Sequence, residues 1–363
     1  RASGRRCPTS PNLGTEVTPI LQKPDITDER ITTCLHRAYG LQGVRIASLP
    51  LGLDAQAAVY RATADDGRQY FAKLRRGVFD EIAVAVPKAL SDQGIPHILA
   101  PLATRTGQLW ASLDPFALIL YPFVEGRDGY EVDLSDEAWC ALGRTLKRIH
   151  TAVLPPTLLR RIPQETYAPQ WREMVQAFIA SATAEKAPDS AHDDPVAARL
   201  ASFLASKRSE ILDLVGRAGR LAGGLRERSP ACILCHADLH AGNLLICAGD
   251  TFHIVDWDDP VLAPKERDLM FVGGGLMGGW RTPQEEEALF SRGYGETEVD
   301  AEALAYFRYE RIVQDIAVFC QKILLGGASR EDREQSLRYL KSNFLPNGVL
   351  EIAYDSAKRL GEG

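Results

Sequence analysis

The chain has 363 residues, 45% of them hydrophobic and 25% charged, with a net charge of −6. That length exceeds one minimal core and points to two packed lobes or one large domain. The acidic balance supplies no general basic surface to hold nucleic acid, and no apolar run approaches the roughly 20 residues needed to cross a bilayer. Seven cysteines, an odd and sparse set in a chain this long, fit reduced thiols of a cytoplasmic protein better than a disulfide scaffold.

Residues 1–24, rich in Pro, Thr and Ser, read as a loose tail. Arg5 and Arg6 are not followed by an apolar core before Pro8 and Pro11, which argues against a secretory signal. The first helical spacing runs from Ile26 to Tyr39 and is closed by Gly40. Short alternating segments follow at Val44–Leu49, Ala58–Ala62 and Gln69–Leu74, then a helix-like run at Phe79–Leu90, then strands at Gln108–Leu113 and Phe116–Tyr121. Five antiparallel strands with one inserted helix make a small α+β lobe over residues 25–123. After Val124-Glu125-Gly126 the character changes. Helical spacing covers Ala138–His150, Trp171–Ala182 and Val196–Ala218, a β-like interruption spans Ile233–Val255, and helices dominate to the end. The expected division is therefore a tail, a β-rich lobe at 25–123 and a mainly helical lobe at 124–363.

The most informative stretch is Cys235-His236-Ala237-Asp238-Leu239-His240-Ala241-Gly242-Asn243, followed by Ile254-Val255-Asp256-Trp257-Asp258. An Asp, an Asn five residues on, and a second Asp at a later strand end form the layout used for phosphoryl transfer. Mg²⁺ is a hard cation that takes a few oxygen ligands together with substrate phosphates. Asn243 offers an amide oxygen and Asp256 a carboxylate for it, while Asp238 can orient an acceptor hydroxyl and take its proton. The runs Leu244–Ile246 and Phe252–Val255 predict a hairpin that presents these groups together.

The nucleotide half belongs to the β-rich lobe. Lys73 lies on a predicted strand in Tyr70-Phe71-Ala72-Lys73-Leu74, sharing a face with Phe71, like the strand lysine that contacts ATP phosphates in kinases. A carboxylate has to hold it; Glu81 is the first choice and Asp80 the alternative. In folds of this kind adenine meets a backbone carbonyl and, two residues on, an N–H. With Tyr121 as gatekeeper these are the Pro122 carbonyl, which proline retains, and the Val124 N–H.

H-A-D-L-H-A-G-N followed by I-V-D-W-D resembles the aminoglycoside phosphotransferase family. Tyr70–Leu74, Phe79–Ile82, Ala263–Phe271, Arg308–Val313 and Asp315–Ala317 carry the likeness further and are most similar to the spectinomycin 9-phosphotransferases, over residues 26 to 355. The resemblance implies a two-lobed protein-kinase-like fold and transfer of the ATP γ-phosphate to a hydroxyl of an aminocyclitol antibiotic. It also implies Asp238 as catalytic base, Asn243 and Asp256 as metal ligands, Lys73 as nucleotide contact and Asp268 as a structural acid bracing the catalytic loop. One departure stands out. The loop Leu51–Ala57 has the single glycine Gly52 where protein kinases carry G-x-G-x-x-G, which favours a small-molecule enzyme.

A cationic antibiotic needs carboxylates near Asp238, and Asp258, Asp259, Glu310 and Asp315 are the candidates. The alternative is a metabolic kinase of the same fold, acting on a choline-like amine, a sugar or a hydroxylated amino acid. Three other motif matches are set aside. Cys232-Ile233-Leu234-Cys235-His236 matches a haem-attachment motif, but it reads as a strand entering the catalytic loop. His236 and His240 have helical metal-pair spacing, but Gly242 and the turn-forming Asp238 and Asn243 argue against a helix there. Gly273–Gly278 matches a dinucleotide fingerprint by letter only, because no βαβ unit surrounds it.

Overall fold

A computed structural model describes residues 25–49, 57–77, 79–182, 194–325 and 327–359. The N-terminal segment 1–24 and Gly52 with its loop lie outside the described residues. In chain order the elements are α1 (Asp28–Tyr39), β1 (Arg45–Leu49), β2 (Ala57–Thr63), β3 (Gln69–Arg76), α2 (Ile82–Asp92), β4 (Ala111–Leu113), β5 (Phe116–Pro122), β6 (Arg127–Asp128), α3 (Asp136–His150) and α4 (Pro156–Leu159). They continue as α5 (Gln170–Ala182), α6 (Pro195–Ser206), α7 (Arg208–Arg228), β7 (Ile233–Cys235), β8 (Leu244–Ile246), β9 (Phe252–Ile254), β10 (Val261–Ala263), α8 (Glu266–Leu269), α9 (Pro283–Tyr294), α10 (Ala301–Leu324), α11 (Arg330–Ser342) and α12 (Val349–Arg359). This is the α+β, protein-kinase-like arrangement expected, an antiparallel sheet region followed by a helical region. No helix among the described residues is long and apolar enough to cross a membrane.

The chain divides into two compact units. Of the described residues one holds 25–163 with 236–261, and the other 164–235 with 262–359. The boundary expected from the sequence lies at 123/124; in the structure residues 124–163 and the hairpin that follows His236 group with the sheet. The cause is pairing. β6, just past Val124-Glu125-Gly126, pairs with β8, and Ile254 at the end of β9 donates its N–H to the His97 carbonyl at 2.7 Å.

In the sheet unit the strand order is β1-β2-β3-β5-β4, antiparallel throughout. Period-2 alternation gives β3 two faces. Ala72 and Leu74 are fully buried in a core shared with Ile31 and Leu35 of α1, Tyr60, Leu118 and Leu120. Each such Leu or Ile side chain contributes about 1.5–3 kcal/mol on burial. The opposite face carries Phe71, Lys73 and Arg75. Helix α1 starts where the Thr27 hydroxyl accepts from the Arg30 N–H and stops at Gly40, whose φ of 76° closes the last turn in the left-handed region. The helix expected from Phe79 begins at Ile82, where Asp80 Oδ1 caps the Ile82 N–H at 3.0 Å. In α3 the Ser135 hydroxyl caps Ala138 N–H, and Trp139, Leu142, Leu146 and Ile149 form one buried stripe.

The second unit centres on α10, which packs on α5, α6, α7, α8, α11 and α12 and buries residues on most of its circumference. The helical spacing at Val196–Ala218 resolves into two helices, α6 ending at Ser206 and α7 starting at Arg208, with Lys207 between them. β7 pairs with β10 in a two-stranded ribbon. Asp268 is fully buried here. Cys235 is also buried, and Cys232 and Cys235 are free thiols.

Candidate active site

The hairpin β8–β9 pairs Leu244 with Ile254 and Ile246 with Phe252, as the two apolar runs predict. Its neighbours are drawn together by side chain to backbone bonds. The His236 Nδ1 accepts from the Asp238 N–H at 3.3 Å, so its proton is on Nε2, which donates to the Val255 carbonyl at 3.0 Å. Val255 N–H in turn donates to the Asn243 carbonyl at 3.0 Å. His236 packs edge-on to Trp257, ring centroids 4.5 Å apart. These bonds tie the loop that carries Asp238 to the strand end that carries Asp256.

Two residues at this centre have left-handed backbone, Ala237 at φ 71° and Asp256 at φ 60°. Asp tolerates that region, whereas Ala is held there at a cost. A short 3₁₀ turn, Ala241–Asn243, then brings Asn243 back to Asp238. Asn243 Nδ2 donates to the Asp238 carbonyl at 2.7 Å and to Asp238 Oδ2 at 3.2 Å. The amide is thereby oriented with Oδ1 as its remaining acceptor. Gly129 N–H donates to the Ala241 carbonyl at 2.9 Å, and a Cβ on Gly129 would meet that oxygen at 2.9 Å. Glycine is therefore needed where the chain after β6 presses on the loop.

Lys73 completes the cluster. Its Nζ lies 2.9 Å from Asp256 Oδ1 and 2.9 Å from Asp258 Oδ2, with the lysine side chain 15% exposed and that of Asp256 47%. Arg75, two residues on and on the same face of β3, also donates to Asp258 Oδ2. Burial alone would depress the Lys73 ammonium, but the two carboxylates outweigh it and raise its pKa. Burial works upward on both acids. The adjacent Lys73 still draws Asp256 below the usual carboxylate range, while Asp258, with Asp256 as a like-charged neighbour, is held above it.

Glu81 does not hold Lys73. Its Oε1 accepts from Trp110 Nε1 at 3.2 Å and its Oε2 from Arg161 at 3.2 Å. It stands just before α2, where those two donors capture it, and Asp80 is engaged in capping. Asp258, expected at the substrate, stands instead on Lys73 and Arg75. Asp259 is exposed beside it. Glu310 and Asp315 belong to α10 in the other unit. Glu310 is buried, with Oε2 accepting from Arg172 at 2.6 Å, and Asp315 pairs with Arg311 one turn before it at 3.1 Å.

At the end of β5, Phe123 N–H donates to the Gln69 carbonyl and Phe71 pairs with Tyr121. Alternation therefore makes Tyr70–Pro122 a non-bonded pair and turns the Pro122 carbonyl away from β3. The Leu120 carbonyl, two residues earlier, points the same way and accepts from Leu102 N–H at 2.7 Å. Sequence reasoning missed Arg75, although the period-2 signal that aligns Phe71 with Lys73 extends to it. It also missed the partners of Glu81, since nothing local marks Trp110 or Arg161.

A family model described as the phosphotransferase enzyme family, APH, matches residues 48–309. The chain belongs to this family. Among solved structures it is similar to spectinomycin phosphotransferase, APH(9)-Ia, in complex with ADP and spectinomycin. The two are 35% identical with a TM-score of 0.83, over 92% of this chain and 99% of that one. The AMP-bound complex of the same phosphotransferase matches at 34% identity and a TM-score of 0.79, over 91% of this chain and 98% of that one. Protein StrN of Streptomyces griseus is 28% identical over 190 residues, 51% of this chain and 57% of StrN. The chain thus spans just over half the length of that curated relative.

Proposed function

We propose that this family member transfers the γ-phosphoryl group of ATP to a hydroxyl of an aminocyclitol antibiotic of the spectinomycin type. One observation carries the reading: Lys73 from the sheet and Asp256 from the hairpin end meet at 2.9 Å, with Asp238 and Asn243 bonded to each other on the adjoining loop. In this reading Lys73 binds nucleotide phosphates, and the Pro122 carbonyl and Val124 N–H receive adenine. Asp238 accepts the proton of the acceptor hydroxyl as its oxygen bonds to phosphorus and ADP departs. Asn243 fixes Asp238 through Nδ2, which keeps the carboxylate in one orientation.

The donor set fits a hard cation. Asn243 has Oδ1 to offer once Nδ2 is engaged, and Asp256 supplies a carboxylate oxygen. Bound there, Mg²⁺ would neutralise charge on the phosphates. The choice of acceptor draws on the similarity to spectinomycin phosphotransferase across nearly the whole of both chains. The net charge of −6 also suits an amine-bearing substrate.

The test is incubation of the purified protein with ATP, Mg²⁺ and spectinomycin. ADP release with a gain of one phosphoryl group on spectinomycin is expected, together with reduced spectinomycin susceptibility of an expressing strain. Turnover of a choline-like amine, a sugar or a hydroxylated amino acid, with none of spectinomycin, would replace this reading by a metabolic kinase.

A further inference from the structure

His240 lies between Asp238 and Asn243 and has no role in the chemistry above. Two contacts fix its ring, and a third feature makes space for it. The Gly242 N–H donates to Nδ1 at 3.0 Å. The Tyr130 ring stacks on it, centroids 6.0 Å apart and planes 29° from parallel. Gly242 leaves it room, since a Cβ there would stand 2.8 Å from His240 Cε1. An imidazole whose Nδ1 accepts a hydrogen bond carries its proton on Nε2. That nitrogen faces Asp238 Oδ2 at 3.5 Å, the same oxygen that Asn243 Nδ2 approaches at 3.2 Å.

We infer that His240 is a positioning residue for Asp238. Its Nε2–H and the Asn243 amide together hold Oδ2, so that the carboxylate presents a fixed orientation to the acceptor hydroxyl. The inference rests on Asp238 being the proton acceptor. The 3.5 Å separation is long for a hydrogen bond, as catalytic contacts often are before substrate closes the site. The two ring nitrogens do separate jobs: Nδ1 braces the loop and Nε2 addresses Asp238. Each job can be retained without the other. In His240→Asn the side-chain oxygen can replace Nδ1 and accept from Gly242 N–H, but the side chain is too short to reach Asp238. In His240→Gln the amide nitrogen can replace Nε2.

The experiment compares kcat and the KM for ATP and for the acceptor in wild type, His240→Asn, His240→Gln and Asp238→Ala, with thermal melts and ADP affinity as folding controls. His240→Gln should keep kcat within about 5-fold of wild type. His240→Asn should lose about 10- to 100-fold in kcat with the KM for ATP little changed, the scale expected when a reacting group is misplaced. An active His240→Asn beside an inactive His240→Gln would overturn the inference and leave His240 a loop brace only. A rise in KM for ATP with unchanged kcat in both variants would also overturn it, by assigning His240 to nucleotide binding. Failure of the underlying reading is separate, because it would show as turnover in Asp238→Ala.

Discussion

Replacing Glu310 with Gln separates a structural carboxylate from a substrate-binding one. The Arg172 and Glu310 side chains are 6% and 9% exposed and meet at 2.6 Å. Arg172 is also fixed by its bond to the Tyr167 carbonyl at 3.0 Å, so its charge cannot turn to water. Breaking one side of a buried pair costs about 3–5 kcal/mol. Gln keeps the shape and one acceptor, which places the loss near the lower end, about 3 kcal/mol. Burial pushes the Glu310 carboxyl up despite the opposing pull of Arg172, so this pair is costly to bury. The double variant Arg172→Met/Glu310→Leu should therefore recover most of that loss. Urea denaturation followed by tryptophan fluorescence, with acceptor KM measured in parallel, is the assay. A lowered midpoint for the single variant, recovery in the double variant and an unchanged KM are expected. A wild-type midpoint with a raised acceptor KM would refute the reasoning and return Glu310 to the substrate.

Asp258→Asn should weaken ATP binding about 10-fold, the equivalent of one charge-assisted hydrogen bond to Lys73, whereas Glu81→Gln should leave it nearly unchanged; titration calorimetry with ATP compares them. Ala237→Gly should match or exceed wild-type stability, since it relieves the left-handed cost at φ 71°. Ala237→Val should lower stability by about 2 kcal/mol, both read from denaturation midpoints. Gly129→Ala forces a Cβ to within 2.9 Å of the Ala241 carbonyl. A loss of about 10-fold or more in kcat, with retained ADP affinity, is the outcome to look for.

The sheet was legible because its strands alternate. Ala72 and Leu74 face the core while Phe71 and Lys73 face the hairpin, and that pattern is written every second residue. The hairpin was legible as two apolar runs on either side of a turn. The pairing of Lys73 was not. Glu81 and Asp258 are both acids at plausible distances along the chain, and what separates them is where Trp110 and Arg161 come to lie, a tertiary fact with no local signature. The grouping into units was not legible for a related reason. Composition changes after Val124-Glu125-Gly126, but the β6–β8 pairing and the Ile254–His97 bond carry the hairpin back to the sheet. Glu310 and Asp315 share a helix, yet burial commits one to Arg172 and helical spacing commits the other to Arg311.

The central claim is that Asp238, on the loop tied to the Lys73–Asp256 contact, takes the proton in phosphoryl transfer. Single-turnover transfer from radiolabelled ATP to spectinomycin by Asp238→Ala, with ADP affinity measured on the same preparation, tests it most directly. The account predicts a rate lowered by about 10²- to 10⁴-fold with ADP binding close to wild type. Transfer at a rate near wild type would contradict it.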